Sequence, residues 1–143
     1  MNRDDRIAIE WECTRLINLY ALLTDEARWD EIVALYAEDG LMTRPTAPDD
    51  PIVGHDALYA AFTARPPRIS RHVCANIVVT AENADEASAQ SLILLFTGSA
   101  AEDGGLPVPD AAPLVGTYSD RFRLTDKGWR FTERRGELSF RKM

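Results

Sequence analysis

Apolar residues follow two different periods along this chain, and the change of period divides it into two parts. Over residues 4–23 they recur every three or four positions, which predicts an amphipathic helix with one buried face. A second helical pattern covers residues 28–37, and residues 41–43 favour a short strand. A third helix is predicted from Gly54 to the proline pair at 66–67, because proline cannot continue a helix.

From residue 69 onward the pattern becomes strand-like. Four strands are predicted, at residues 69–80, 87–97, 114–124 and 129–140. Helices followed by antiparallel strands indicate an α+β fold. We therefore expect three N-terminal helices packed on a strongly curved, mostly antiparallel sheet, forming a cone-shaped α+β barrel with a pocket inside.

Two segments lack either period. Residues 44–53 contain three prolines, which predicts an irregular surface loop. Residues 99–113 contain Gly104, Gly105 and three more prolines, and a connection of this length is unusual in a compact domain. We interpret residues 99–113 as the tip of a hairpin, with a lid over the pocket as the alternative.

The strand at residues 69–80 carries the clearest chemical signal. Alternation places four residues on one face, His72, Cys74, Asn76 and Val78. This face begins polar and becomes apolar, as expected of a mostly apolar pocket wall with a few polar groups. The opposite face is uniformly apolar and needs a cover, so we predict a homodimer through the outer face of the sheet.

Composition narrows the functional classes. The 143 residues predict a single domain, 1–143, with 45% apolar and 27% charged residues, ordinary values for a globular protein. A net charge of −7 without a basic stripe argues against nucleic acid and anionic membranes as partners. The cationic residues near the C-terminus are interpreted as a solvated rim: Arg134, Arg135, Arg141 and Lys142.

Location and cofactors follow from what the sequence lacks. No signal peptide or membrane-length apolar run is present, so we expect a cytoplasmic protein with Cys13 and Cys74 as buried free thiols. Neither cysteine lies in a metal-binding spacing, and no glycine-rich phosphate loop occurs. We therefore expect no metal and no cofactor, and a small molecule as the ligand.

Four signatures give the chain a resemblance to a known family. They are residues 20–36, which contain Tyr20, Asp25 and Trp29; residues 54–58; Arg71-His72 with Asn76; and residues 116–120 leading to 126–131. Taken together and in this order, they resemble the SnoaL-like branch of the nuclear transport factor 2-like superfamily, close to its scytalone dehydratase and dehydrochlorinase members. The resemblance covers roughly residues 6–136.

The resemblance implies a catalytic pair. Asp25 matches the family's aspartate after the first helix, and His72 matches its histidine on the sheet. Such a histidine abstracts a proton from carbon while the aspartate fixes its tautomer. The implied activity is that of a cofactor-independent lyase or isomerase, dehydratase-like, acting on a small hydrophobic, aromatic or polyketide-like molecule. Four further residues are candidates for substrate binding: Tyr20, Tyr36, Asn76 and Tyr118.

Each assignment has an alternative. Asp25 is also suited to cap the second helix, His72 to be a buried structural histidine, and His55 to be a surface residue. The tyrosines on the helices suit a core. The alternative functions are a non-catalytic module of the same fold, binding a small ligand or a protein, and the small subunit of an aromatic-ring dioxygenase.

Overall fold

Helix α1 (Arg3–Asp25) carries the first apolar stripe in the computed structural model, which describes residues 1–141. Its N-terminus is closed by a capping box, in which Asn2 and Asp5 exchange side-chain-to-backbone hydrogen bonds of 2.9 and 3.1 Å. The stripe buries Cys13, Ile17 and Tyr20, and α1 packs on one strand of the sheet. The helix predicted over residues 4–23 is therefore present, and it is two residues longer at its C-terminal end.

A Schellman motif ends α1 and fixes the position of Asp25. The backbone N–H of Arg28 donates to Leu23, and that of Ala27 donates to Thr24, at 3.0 and 3.1 Å. Ala27 adopts the left-handed conformation, with φ at 54°. Asp25 is therefore the last helical residue, directly after the buried Leu23 and Thr24.

The next two elements differ from the prediction. Helix α2 (Trp29–Val33) ends four residues earlier than expected, because the chain from Leu35 onward pairs with the last strand: the N–H of Phe131 donates to the carbonyl of Leu35 at 2.9 Å. Strand β1 (Tyr36–Arg44) includes the short strand expected at residues 41–43.

The predicted loop at residues 44–53 is wrong for most of its length. It forms strand β2 (Ala47–Val53), antiparallel to β1. Pro48 and Pro51 are tolerated because β2 is the edge strand of the sheet, where a missing N–H costs no ladder hydrogen bond on the open side. Helix α3 (His55–Thr63) follows, as predicted.

The four strands predicted in the second part of the chain are present. They are β3 (Ile69–Ala81), β4 (Glu86–Ser99), β6 (Leu114–Thr125) and β7 (Gly128–Leu138). A two-residue strand, β5 (Val108–Pro109), pairs with the end of β4. Within residues 1–141 the seven strands form one sheet in the order β2-β1-β7-β6-β4-β3, with β5 beside β4.

The pairing is antiparallel except between β1 and β7, which run parallel. The predicted α+β fold, with helices on a curved, mostly antiparallel sheet, is confirmed. The sheet is not closed into a complete barrel: β2 and β3 are its two edges.

The core fills the space between the helices and the sheet. Its fully buried aromatic side chains stack edge to face or tilted: Tyr36, Phe62, Phe122 and Phe131. Burial of each such side chain contributes about 1.5–3 kcal/mol, so this cluster holds the helices on the sheet. No helix within residues 1–141 is long and apolar enough to cross a membrane.

Candidate active site

A pocket of about 300 Å³ opens between α1 and the inner face of the sheet. Helix α1 contributes Tyr20, Ala21 and Thr24, and β3 contributes His72 and Cys74. The remaining lining comes from β1, the turn between β1 and β2, β4, β6, β7 and the connection between α3 and β3. This volume is at the lower end of the range for small-molecule sites.

Asp25 and His72 meet at the wall of this pocket. The Nδ1 atom of His72 lies 2.6 Å from Oδ1 of Asp25. The same carboxylate accepts the backbone N–H of His72 at 2.8 Å and the hydroxyl of Ser70 at 3.0 Å. Both side chains are largely buried, 8% exposed for Asp25 and 11% for His72. Three hydrogen bonds therefore hold the carboxylate against the first residues of β3.

The hydrogen bond defines the tautomer of the histidine. A carboxylate only accepts hydrogen bonds, so Nδ1 of His72 carries the proton and Nε2 keeps its lone pair. Among residues 1–141, Nε2 makes no hydrogen bond. Burial lowers the pKa of His72 below its usual 6.5, against the opposing effect of Asp25, and Arg68 and Arg65 lower it further. The imidazole is thus neutral at pH 7 and available as a base.

The alternative role of Asp25 as a helix cap does not match the structure. Helix α2 has Arg28 at its N-cap position and no side-chain cap hydrogen bond. His55, in contrast, is only half-buried and lies outside the pocket lining, with Nε2 at 2.8 Å from the carbonyl oxygen of Tyr36.

Two of the three candidate tyrosines line the pocket, Tyr20 and Tyr118. Tyr36 is fully buried behind them and is not part of the lining; its hydroxyl lies 2.9 Å from that of Tyr20. Burial raises the pKa of Tyr118 to about 12 and also raises that of Tyr20. Both hydroxyls therefore stay protonated at neutral pH and can donate hydrogen bonds to a ligand; that of Tyr20 lies 3.5 Å from Sδ of Met42, a weak acceptor that a ligand oxygen can replace.

Arg134 also lines the pocket and is 1% exposed. Its guanidinium carbon lies 3.9 Å from the ring centre of Tyr118 and 4.3 Å from that of Tyr20. Its Nε atom is 3.3 Å from Oδ1 of Asp120, which is also buried. Burial raises the pKa of Asp120 to about 6, although the charge of Arg134 opposes the shift.

Comparison with known proteins identifies the family of this chain. A family model described as a SnoaL-like domain matches residues 5–135, most of the chain. The chain belongs to the SnoaL-like domain family. The predicted membership of the nuclear transport factor 2-like superfamily is therefore confirmed. A search of curated proteins found no match to this SnoaL-like domain.

Solved structures share the fold at low sequence identity. A type 2 hexachlorocyclohexane dehydrochlorinase superimposes with a TM-score of 0.79 at 14% identity, with 97% of this chain and 90% of that one covered. A candidate scytalone dehydratase from Novosphingobium aromaticivorans gives 0.71 at 20% identity, covering 90% and 82%. The β subunit of a candidate aromatic-ring-hydroxylating dioxygenase from the same species gives 0.71 at 19%, covering 95% and 92%.

Asn76 is not brought to the site of the SnoaL-like domain. A β-bulge lies between Ala75 and Val78, where three steps on β3 oppose two on β4, and Asn76 has a φ of 51°. After Cys74, the next side chain of β3 that points inward is therefore Ile77. Asn76 and Val78 are exposed. The prediction that His72, Cys74, Asn76 and Val78 share one face is wrong beyond the bulge.

Four arginines in the lining were missed from the sequence. Arg134 was interpreted as part of a solvated rim, which is wrong, whereas Arg135 and Arg141 are exposed as expected, and Lys142 lies outside the described residues. The other three are Arg44, Arg65 and Arg68. With these residues the pocket carries more positive charge than the apolar wall predicted from β3 implies.

The long connection at residues 99–113 contributes nothing to the lining. Its strand β5 pairs with β4, and Leu106 is 90% exposed. This placement favours the hairpin-tip interpretation over a lid. Among residues 1–141, no group of three or more His, Cys, Asp or Glu side chains is arranged to hold a metal ion.

Proposed function

We propose that this SnoaL-like domain is a cofactor-independent lyase or isomerase that removes a proton from a carbon atom of a small molecule. The observation that carries the proposal is the 2.6 Å hydrogen bond between Asp25 and Nδ1 of His72 at the pocket wall. A base needs a free lone pair, a fixed orientation and a pKa below the working pH, and Nε2 of His72 has all three.

The proposed reaction starts with proton transfer from a substrate carbon to His72. Nε2 of His72 takes the proton of a substrate C–H bond, and the electron pair of that bond forms a new carbon–carbon double bond. In a dehydration, a hydroxyl on the adjacent carbon leaves with its electron pair and receives the proton from His72 as water. In an isomerisation, the imidazolium returns the proton to a different carbon. Asp25 stabilises the imidazolium in either case.

The pocket tyrosines suit this chemistry. A carbonyl next to the reacting carbon accumulates negative charge on its oxygen as the proton leaves. The hydroxyls of Tyr20 and Tyr118 line the pocket, and burial keeps both protonated. They are the candidate donors to that oxygen or to a departing hydroxyl, while Tyr36 supports Tyr20 from behind.

Two proteins with a similar fold support the proposal. A dehydratase and a dehydrochlorinase each remove a proton from one carbon and a leaving group from its neighbour. The candidate scytalone dehydratase and the hexachlorocyclohexane dehydrochlorinase both share this fold over at least 90% of the present chain. We propose the same general class here, with the substrate to be found among small molecules that fit about 300 Å³.

Base catalysis can be tested without the natural substrate. Nitrobenzisoxazole is a small neutral bicycle in which removal of one C–H proton breaks the N–O bond and releases a coloured cyanonitrophenolate. We expect the protein to open this ring faster than free imidazole at equal concentration. His72→Ala should reduce the rate by roughly 10²–10⁴-fold, the usual contribution of a general base.

The second histidine provides the matched control. His55→Ala removes a half-buried imidazole that lies outside the pocket lining, so the rate should stay at the wild-type value. Equal rates for wild type and His72→Ala, with unchanged thermal unfolding, would contradict the proposal.

A second candidate function is that of a structural subunit. The observation in its favour is the similar fold of the dioxygenase β subunit, over 95% of this chain. It predicts that the isolated protein opens nitrobenzisoxazole no faster than His72→Ala does, and that it assembles with a larger catalytic chain.

A further inference from the structure

Three arginines face the pocket without an acidic partner. Arg44 lies at the end of β1, and Arg65 and Arg68 lie in the connection from α3 to β3. None of the three forms an ion pair with a carboxylate in the part of the chain that the structure describes. Positive groups brought together in this way repel one another, and the pKa of Arg65 is lowered by burial and by its two arginine neighbours.

Three buried guanidinium nitrogens in the lining have no hydrogen-bond acceptor within residues 1–141. The Nη2 atom of Arg44 donates to the carbonyl of Ala61 at 3.0 Å, but its Nε is buried without a partner. In Arg134, which is 1% exposed, Nη2 is also buried without a partner, and Nε lies 3.3 Å from Asp120 without making a hydrogen bond. Buried donors are expensive to leave unpaired, so Arg44 and Arg134 are not fully satisfied by the protein groups around them.

Arg65 is held in a fixed orientation. Its guanidinium carbon lies 4.8 Å from the ring centre of Phe62 and 5.7 Å from that of Trp29, and these two rings are stacked 5.5 Å apart. Stacking uses the face of the guanidinium plane and leaves the N–H groups at its edge for an acceptor. The side chain is therefore preorganised, which reduces the entropy cost of binding a ligand.

The charge balance of the pocket is opposite to that of the whole chain. The net charge is −7, yet the lining contains four arginines and His72, and none of the lining residues is an aspartate or glutamate. Asp25 and Asp120 are paired with His72 and Arg134 respectively and do not line the cavity. The three remaining arginines thus give the cavity a positive potential, which the low dielectric of the walls strengthens.

We infer that the substrate of this site is a small organic acid whose anionic group binds Arg44, Arg65 and Arg68. The inference rests on the proposed function for what happens at His72, and it adds the substrate class. The apolar part of the acid lies against the β4 and β6 side of the pocket, where Ile93 and Leu114 line the cavity.

The size of the cavity restricts the acid further. A cavity of about 150 Å³ holds a benzene ring, so about 300 Å³ accommodates one aromatic ring with a charged group and a short substituent. Benzoate, phenyl phosphate and the uncharged analogue benzamide are therefore suitable probes. Benzoate and phenyl phosphate distinguish a carboxylate from a phosphate ester, and either one satisfies the inference.

Binding is measured by titration calorimetry and by thermal shift on the full chain. We expect at least one of the two anions to bind roughly tenfold or more tightly than benzamide, as expected for hydrogen bonds to charged groups. Arg68→Gln, at an exposed position, should weaken that anion by roughly threefold to tenfold, and Arg65→Gln by more, because Arg65 is more deeply buried. Arg65→Lys keeps the charge but not the stacked fork, and should recover part of the loss.

Arg71→Gln is the matched control. Arg71 precedes His72 in β3 but is exposed and does not line the pocket, so its loss should leave anion affinity unchanged. Benzamide binding as tightly as both anions, or an Arg68→Gln/Arg65→Gln double variant that keeps wild-type anion affinity, would overturn the inference.

The two proposals fail in different ways. Nitrobenzisoxazole is neutral, so its turnover does not depend on an anion site. If turnover depends on His72 but no anion binds, the proposed base catalysis is supported and the organic acid is contradicted as the substrate class. Anion binding that depends on Arg65 and Arg68, with turnover independent of His72, removes the base mechanism and leaves the anion site.

Discussion

At the scale of single residues, the site depends on one carboxylate with three donors. Asp25 receives hydrogen bonds from the ring and the backbone of His72 and from the hydroxyl of Ser70. An aspartate that only capped a helix would point its oxygens at N–H groups of that helix. Here all three donors lie on β3, so Asp25 connects α1 to the strand that carries the proposed base.

The pH dependence of the reaction follows from the lowered pKa of His72. Burial disfavours the imidazolium, so His72 stays neutral to a pH below 6.5. The rate of nitrobenzisoxazole opening should rise with pH through the pKa of His72 and then stay level across neutral pH. NMR titration of the His72 ring should give the same midpoint as the rate. A midpoint above 6.5 in both measurements would contradict the assignment of burial as the dominant effect.

Asp25→Asn should lower both the stability of the fold and the rate of the reaction. An amide presents an NH₂ group to donors that need an acceptor, so we expect a loss of about 1–3 kcal/mol in the free energy of unfolding. The rate should fall by roughly 10²–10⁴-fold, because the tautomer of His72 is no longer fixed. Since Asp25 also raises the pKa of His72, the pH midpoint of any remaining activity should move further down.

Ser70→Ala is the control for that substitution. It removes one donor to Asp25 and leaves both hydrogen bonds from His72 in place. Its rate should remain within a few-fold of wild type. If Ser70→Ala and Asp25→Asn lose activity equally, the carboxylate acts through general stability and not through the histidine.

At the scale of elements, the end of α1 contains strain that a single substitution should remove. Ala27 adopts a φ of 54° in the Schellman motif, a position that glycine normally occupies. The left-handed conformation costs alanine roughly 1–2 kcal/mol, and the greater freedom of glycine in the unfolded chain offsets part of the gain. Ala27→Gly should therefore stabilise the fold by about 0.5–1 kcal/mol in urea unfolding.

Ala27→Gly has an informative comparison elsewhere in α1. Ala8 is exposed near the start of α1. Ala8→Gly should lower the free energy of unfolding by about 1 kcal/mol, because glycine there only adds flexibility to the unfolded chain. A loss of stability for both variants would show that residue 27 is not left-handed in solution.

Whether a site residue could be predicted depends on how regular the helix or strand is at that residue. Asp25 and His72 lie at the end of a strongly periodic helix and the start of a regular strand, so their placement needs only local pattern and family resemblance. Asn76 was misplaced because a bulge reverses the inward face of β3 in the middle of the strand. The residues that follow Asn76 are apolar on both faces of the strand, so the sequence gives no sign of the extra residue.

Arg134 was missed for a related reason. Counting from the hairpin turn, in which Thr125 opposes Gly128, an unbroken ladder would place Glu133 opposite Asp120. A bulge beyond Phe122 shifts the register by one residue and places Arg134 there instead. The resulting Asp120–Arg134 pair is recognisable only once the register is known. The parallel pairing of β1 with β7, which joins distant parts of the chain, is equally absent from local pattern.

At the scale of the whole molecule, the outer face of the sheet is the feature without a cover. Val73 pairs with Leu94, and Leu94 with Val115, so an apolar row crosses β3, β4 and β6 on the side opposite the pocket. Val73 and Phe96 are each 45% exposed. A contiguous apolar area of this kind is usual at an interface and unusual on a monomer.

We propose that two copies of the chain pack through this face. Val73→Asp, which puts a charge in the middle of the apolar row, should convert the dimer to a monomer in sedimentation equilibrium, because an unpaired charge is costly to bury at an interface. The control is Leu22→Asp: Leu22 is 55% exposed on α1, away from the sheet face, so this variant should sediment like wild type. A wild-type protein that is monomeric at tens of micromolar would refute the dimer.

The monomeric variant also measures how far the pocket depends on a rigid strand, since His72 and Val73 are neighbours on β3 whose side chains point to opposite faces. The rate of nitrobenzisoxazole opening should fall in Val73→Asp and stay constant in Leu22→Asp.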